Sequence, residues 1–167
     1  IMSTLIAIFT LALATILQTT IFVEMKLLQG SADFVLLTLL GWILHERTEG
    51  HWQWGVLAGL FTGFASELPI WVTVFGYLLV VLAIQYLHSK IWQAPMVILF
   101  VSIIVGSILV LFLDTTYLVV IGVQLPFLDS LNLVILPSVI LNMLFILPVY
   151  ALMGELVKIS YPGGGEI

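Results

Sequence analysis

The charged residues of this chain stand at the ends of long apolar runs and almost never inside them. Hydrophobic residues make up 62% of the sequence and charged residues only 8%, and the mean hydropathy is +1.28. A water-soluble domain of this size needs far more polar surface, because its exterior must be hydrated. The sequence therefore predicts a polytopic membrane protein, in which the few polar groups at membrane depth carry most of the information about function.

Length and composition limit what such a protein can be. At about 20 residues per spanning helix, 167 residues allow roughly six spans and no separate soluble domain. We therefore predict a single all-α domain of six transmembrane helices over residues 1–160 and a flexible tail over residues 161–167. The chain has no cysteine, which excludes disulfides and thiolate metal sites. Its net charge of −5 argues against nucleic acid, which is bound by basic stripes.

Six apolar runs qualify as spans, and prolines mark several of their boundaries. The first run lacks a basic start and a small-residue cleavage site, so we expect a true span and not a cleavable signal peptide. Pro69 should stop the third run and begin the fourth, and Pro95 suits the first turn of the fifth. Pro137 and Pro148 should kink the last run. The predicted spans are residues 3–23, 31–44, 52–68, 70–88, 95–114 and 131–158.

Residues 115–130 are apolar but belong to none of these spans. Gly122 and Pro126 interrupt the segment, and Asp114 and Asp129 bound it. It is too short to cross the membrane and return. We predict an interfacial loop, with a continuation of the fifth helix as the alternative.

The placement of lysine and arginine predicts the orientation in the membrane. With six spans and a cytoplasmic N-terminus, Arg47, Lys90 and Lys158 fall on the cytoplasmic side and Lys26 falls outside. Both termini are then cytoplasmic. The acidic residues that collect at the opposite, outer end are Glu24, Asp33, Glu67, Asp114 and Asp129.

Small residues repeat along one face of the third span. Gly55, Gly59 and Gly63 are four residues apart, a spacing that lets another helix approach the backbone closely. Packing inside the bundle is the favoured interpretation, since such ridges are common in helical membrane proteins. The alternative is a groove for the helix of a partner, with Glu67 at its outer end. For Glu67 and Asp114 themselves, a solvated position at the membrane interface is favoured over a functional site.

Four other polar residues are expected to have structural roles. Gln18 and Asn142 lie inside the first and last spans, where an amide must find a hydrogen-bond partner. We expect both amides to bond across helices, and a polar ligand pocket is the alternative. Ser31 should cap the second span, and Asp33 in its first turn should favour the positive end of that helix.

No catalytic or metal-binding pattern occurs in the sequence. The nucleophile elbow GxSxG, the phosphate-binding P-loop and the zinc-binding HExxH are all absent. His45 and His51 lie in a polar loop and His88 lies at a helix end, which is not a metal-ligand spacing. We therefore expect no enzymatic activity, no metal and no cofactor.

A series of short motifs, taken in order along the chain, resembles a known family. The motifs are Leu17-Gln18-Thr19-Thr20, Ser31-Ala32-Asp33-Phe34, the glycine stripe with Glu67-Leu68, Gly76-Tyr77-Leu78, and Leu136-Pro137 with Leu141-Asn142 and Pro148-Val149-Tyr150. Together they make nearly the whole chain similar to the MreD family, the rod shape-determining membrane proteins of bacteria. The chain departs from that family at Ala32, where a proline is usual, and at Glu67, where aspartate is commoner.

The resemblance implies a function that the residues alone do not. MreD-like proteins have six spans in the bacterial cytoplasmic membrane, with both termini in the cytoplasm. They are non-enzymatic scaffolds that bind MreC and belong, with RodA and a class B penicillin-binding protein, to the machinery of cell elongation. Their fold is similar to the S component of energy-coupling-factor transporters. A small-molecule-binding subunit of a transporter is the alternative function, and a pocket with convergent polar groups would distinguish it.

Overall fold

A computed structural model describes residues 2–21, 24, 27–91 and 93–162. These residues form helices joined by short connections. The predicted tail lies outside the described residues beyond Pro162. The helices are α1 (Met2–Thr20), α2 (Phe34–Ile43), α3 (His51–Ala65), α4 (Ile70–Lys90), α5 (Pro95–Val120), α6 (Phe127–Ser130) and α7 (Leu136–Ser160), and a π-helical turn, Leu131–Ile135, joins α6 to α7.

Four of the described helical segments are long and apolar enough to cross a membrane: Met2–Thr20, Ile70–Lys90, Pro95–Val120 and Phe127–Ser160. The chain is therefore a multi-pass helical membrane protein. The other two predicted spans are shorter than expected. α2 has 10 residues, which is about 15 Å of helix against a hydrocarbon core of about 30 Å. α3 has 15 residues.

The short helix α2 lies at the centre of the bundle. All 10 of its residues are buried, and it contacts α1, α3, α5 and α7. Its sequence is apolar on every side apart from Thr38, whose hydroxyl donates to the Phe34 carbonyl at 2.7 Å. Such a pattern is typical of a helix surrounded by protein. Trp42 on α2 stacks on Trp54 of α3 with ring centroids 4.3 Å apart, and α4 packs between α3 and α5.

Prolines set the starts of two long helices, as the sequence predicts. α4 begins directly after Pro69, and α5 begins at Pro95. The end of α3 differs from the prediction. The helix stops at Ala65 and not at Leu68, because the backbone is already extended at Ser66, with φ −116° and ψ 166°.

The segment predicted to be an interfacial loop, residues 115–130, is mostly helical. α5 continues to Val120, which is the alternative that the sequence left open. The helix breaks only near Gly122, which has a positive φ of 96°, and α6 begins after Pro126. The irregular part is therefore limited to residues 121–126, because an apolar run continues a helix until glycine or proline interrupts it.

The last helical run passes through Pro137 and Pro148 without ending. Pro137 has no backbone N–H, so the carbonyl of Leu133, four residues earlier, lacks its usual helical donor. The π-helical turn lies at this point, and the Leu133 carbonyl accepts the backbone N–H of Gln29 at 3.0 Å. The proline thus frees a carbonyl that fixes the connection between α1 and α2.

Candidate functional site

The small-residue stripe of α3 faces α4. A Cβ atom added at Gly55, Gly59 or Gly63 would lie less than 3.0 Å from an atom of α4, and at Gly59 that atom belongs to the backbone of Val74. The Thr73 hydroxyl donates to the Gly59 carbonyl at 2.7 Å. α4 therefore occupies the surface that the groove interpretation assigns to a partner helix, and the glycines pack inside the bundle.

Asp33 caps the buried helix α2. Its Oδ1 accepts the backbone N–H of Leu36 at 2.9 Å, and its Oδ2 accepts the hydroxyl of Tyr77 at 2.7 Å. The backbone at Asp33 is extended, with φ −101° and ψ 90°, as an N-cap requires. The predicted cap at Ser31 is therefore wrong, because the carboxylate two residues later reaches the first-turn N–H group.

Asn142, on α7 and only 1% exposed, connects α2 to α5. Its Oδ1 accepts the backbone N–H of Asp33 at 2.7 Å, and its Nδ2 donates to the Ser107 hydroxyl at 2.8 Å. Both ends of the amide are used, which offsets the free-energy cost of burying it.

Tyr77 carries this network to α3 and α4. It is 1% exposed, and its hydroxyl accepts the Thr62 hydroxyl at 3.2 Å while it donates to Asp33. One hydrogen-bonded chain therefore runs from Thr62 on α3 through α4, α2 and α7 to Ser107 on α5. Such a chain fixes the positions of the helices that it joins.

Two further hydrogen bonds join α1 and α7 to the start of α2. Gln18 Oε1 accepts the backbone N–H of Val35 at 3.3 Å, and the Ser138 hydroxyl accepts the backbone N–H of Ser31 at 3.1 Å. The Val35 N–H is one of the first-turn groups that have no acceptor within a helix. Gln18 therefore adds a second cap to α2 from a different helix.

A polar cavity of about 180 Å³ lies against this network. Its lining includes two acidic residues, Asp33 and Asp114, together with Asn142, and none of the described lining residues is basic. Lys26, the basic residue predicted for this end, lies outside the described residues. The other polar lining residues are Gln18, Ser31, Thr62, Ser66, Ser107 and Ser138.

The cavity offers mainly hydrogen-bond acceptors. Carboxylate, amide and hydroxyl oxygens around a small space favour water, a cation or a ligand rich in donors. Among the described residues, no group of three or more His, Cys, Asp or Glu could hold a metal ion.

The structure brings together three of the residues that the sequence singles out, Gln18, Asp33 and Asn142, and adds Asp114 to them. The sequence favours a solvated interface position for Asp114, whereas the residue is partly buried and lines the cavity. Glu67 is exposed in the connection between α3 and α4 and does not line the cavity.

Sequence reasoning did not single out Tyr77, Ser107 or Ser138 as site residues. Each carries a hydroxyl in an otherwise apolar helix, and a hydroxyl at membrane depth must find a partner. Ser138 and Asn142 are four residues apart on α7, so they share a face of that helix. That spacing is the signal that could have identified Ser138.

No family model, no curated protein and no solved structure matches this chain. Function is therefore inferred from the residues and from the geometry of the site.

Proposed function

We propose that this chain is a non-enzymatic scaffold of the bacterial cell-elongation machinery, similar to MreD. In this proposal it lies in the cytoplasmic membrane and binds MreC. Through MreC it helps to position RodA and a class B penicillin-binding protein for peptidoglycan synthesis. The strongest support for the proposal is the position in the fold of the residues that carry the resemblance.

These residues come from separate parts of the chain and meet at the centre of the bundle. Gln18, Asp33, Tyr77 and Asn142 belong to four different motifs, and each bonds to the start of α2 or forms part of it. Gly59, from a fifth motif, sets the close contact of α3 with α4. Motifs that matched by chance would have no reason to be in contact, so their meeting supports the resemblance.

Six membrane crossings are part of this proposal, and a short α2 is compatible with them. A helix that faces lipid must cover the hydrocarbon core, because unpaired backbone groups in lipid are costly. α2 is buried along its whole length, and its first-turn N–H groups are bonded by Asp33 and Gln18. It can therefore be shorter than the membrane is thick. With cytoplasmic termini, the polar cavity lies toward the outer face.

The partner surface in this proposal is the connection between α5 and α6, since α4 occupies the glycine stripe. Val120, Phe127 and Leu128 are exposed there, with 78%, 63% and 68% of their surface accessible. In this proposal they lie at the outer membrane surface, and apolar side chains grouped where they meet water are typical of an interaction surface. At the outer face, a single-span partner would pass this connection as it leaves the membrane.

Co-purification with MreC tests the proposal. The wild-type chain, tagged and co-expressed with MreC, should retain it, and the double variant Phe127→Ser, Leu128→Ser should lose it at a normal membrane level. Phe64→Ser is the matched control, because Phe64 is 76% exposed at the same end of the bundle but on α3. Retention by the double variant would place the contact elsewhere. Failure of the wild-type chain to bind MreC would overturn the proposed function.

A second function, a small-molecule-binding subunit of a transporter, is favoured by the polar cavity. Convergent polar groups in a concave site are what such a protein needs. The cavity of about 180 Å³ is smaller than the range of about 300–1,000 Å³ usual for ligand pockets, so we rank this function second. Native mass spectrometry tests it. A small molecule retained by the wild-type chain and lost from Asp114→Asn would favour the transporter subunit over the scaffold.

A further inference from the structure

A second cleft opens at the opposite end of the bundle from the polar cavity, on the side predicted to be cytoplasmic. It lies where α2 and α4 end, where α5 begins and where α7 ends, and its volume is about 480 Å³. It is thus more than twice the size of the polar cavity. Neither the sequence motifs nor the scaffold proposal assigns it a role.

The rim of this cleft is basic. Arg47 and Lys158 line it, which are two of the four Lys and Arg residues of the chain, and Glu46 is the acidic residue in its lining. The Lys158 ammonium bonds a carboxylate oxygen of Glu155 at 2.7 Å, but the two side chains are 72% and 68% exposed. An ion pair that exposed is weak, so Lys158 can exchange it for another anion.

The inner wall of the cleft is apolar. Ile98, Leu99 and Val157 are each no more than 5% exposed. The His45 ring stacks on Tyr150 with centroids 4.3 Å apart and forms part of the same wall. Burial lowers the pKa of His45 below its ordinary value of 6.5, so this ring is neutral near pH 7. The fixed positive charges are therefore confined to the rim.

The start of α5 also faces this cleft. Pro95 is the first residue of α5 and lines the cleft. The helix dipole favours an anion near the first turn of a helix. The dipole of α5 therefore acts in the same direction as the two cationic side chains.

We propose that this cleft binds the phosphate of an anionic membrane lipid, with an acyl chain against the apolar wall. The two cations and the dipole of α5 attract a phosphate, and the apolar wall suits an acyl chain. A free phosphate would make no use of the apolar wall, and an uncharged lipid would make no use of the rim. Basic clefts between membrane helices on the cytoplasmic side bind such headgroups in other proteins. The proposal does not depend on MreC.

The test is thermal unfolding of the full-length chain in detergent with added lipid. Phosphatidylglycerol should raise the unfolding midpoint, whereas phosphatidylcholine and inorganic phosphate should leave it nearly unchanged. Arg47→Gln and Lys158→Gln should each weaken the apparent affinity for phosphatidylglycerol about five-fold, the effect of about 1 kcal/mol per cation. The midpoint of each variant with lipid is compared with its own midpoint without lipid. An effect of the substitution on folding is therefore not counted as an effect on lipid binding.

Lys90→Gln is the matched control. Lys90 is an exposed cation at the end of α4 whose ammonium lies 5.8 Å from the ring centroid of Tyr86, and it does not line the cleft. It should keep the wild-type affinity. Equal weakening by Lys90→Gln would show diffuse attraction to charge and overturn the proposal. Two other results would also overturn the proposal. One is that inorganic phosphate stabilises the protein as much as phosphatidylglycerol does, which would indicate a soluble ligand. The other is that phosphatidylcholine does so.

Discussion

The Tyr77 hydroxyl donates a hydrogen bond of 2.7 Å to Oδ2 of Asp33 at the buried start of α2. The other oxygen of that carboxylate accepts the Leu36 N–H group, so one side chain both begins α2 and ties it to α4. Local helix initiation and the packing of the whole bundle therefore depend on the same pair of residues. The first two predictions concern this pair.

Removing the Tyr77 hydroxyl should destabilise the protein. Tyr77→Phe keeps the ring but leaves Asp33 Oδ2 without its donor and Thr62 without its acceptor. Both groups are partly buried, so the loss should be about 1 kcal/mol, the usual net contribution of one hydrogen bond. Thermal unfolding in detergent measures the loss. Tyr86→Phe is the control, because Tyr86 is 66% exposed, and an equal shift in both variants would contradict the prediction.

At Asp33, alanine should destabilise the protein more than asparagine does. Asp33→Asn keeps an oxygen that can accept the Leu36 N–H group, and its amide can donate to the Tyr77 oxygen. Asp33→Ala loses both hydrogen bonds, and the lost cap alone costs about 1 kcal/mol. Unfolding midpoints of the two variants give the comparison. If they were equal, capping would not be the role of this side chain.

The two intramembrane amides should differ in their contribution to stability. Asn142→Leu should cost at least about 1 kcal/mol, a typical value for one interhelical side-chain bond in a membrane protein, because it breaks two. Gln18→Leu should cost less, since Gln18 makes one longer bond of 3.3 Å and is only partly buried. Both proteins should still insert into the membrane. A larger loss for Gln18→Leu would contradict this order.

Among the glycines, Gly59 and Gly76 form a matched pair. A Cβ atom at Gly59 would collide with the α4 backbone, which cannot move without shifting the helix, so Gly59→Ala should lower stability and membrane level. At Gly76 the nearest atom to a new Cβ is 3.6 Å away, an ordinary contact. Gly76→Ala should therefore be neutral or stabilise α4 by up to about 1 kcal/mol. If Gly59→Ala kept the stability and membrane level of the wild-type protein, α3 and α4 would pack less closely than the structure shows.

The starts of two long helices can be predicted from the sequence because proline acts locally. Pro69 and Pro95 set the starts of α4 and α5, whereas α5 continues beyond its predicted end at Asp114 as far as Val120. The length of α2 could not be predicted in this way. An apolar run must match the membrane thickness only if it faces lipid, and the burial of α2 on every side follows from its neighbours.

The candidate site could be predicted only in part, for a similar reason. Gln18, Asp33 and Asn142 stand out as polar groups within or beside apolar runs. Their partners are distant in the chain: Tyr77 is 44 residues from Asp33, and Asn142 is 109 residues from it. Which helices become neighbours depends on tertiary packing, so the sequence indicates that these groups need partners without identifying them.

Acidification should destabilise the protein in part through His45. This residue follows the C-terminal end of α2, and its Nδ1 lies 2.5 Å from the Gly41 carbonyl. Burial lowers the pKa of the folded-state imidazole below its ordinary 6.5, despite the opposing effect of that carbonyl. The unfolded chain therefore binds the proton more readily. The stability that this shift supplies is fully present above pH 6.5 and is lost as the pH falls from 6.5 toward the lowered folded pKa.

His45→Phe isolates this contribution, because it keeps a ring that can stack on Tyr150 but cannot take up a proton. The unfolding midpoint of the wild-type protein relative to that of the variant should fall between about pH 8 and about pH 5, as the wild-type protein loses the His45 contribution. Other titrating groups act on both proteins and cancel in the difference. A difference between the two midpoints that stays constant over this range would show that the folded and unfolded states hold the His45 proton equally well.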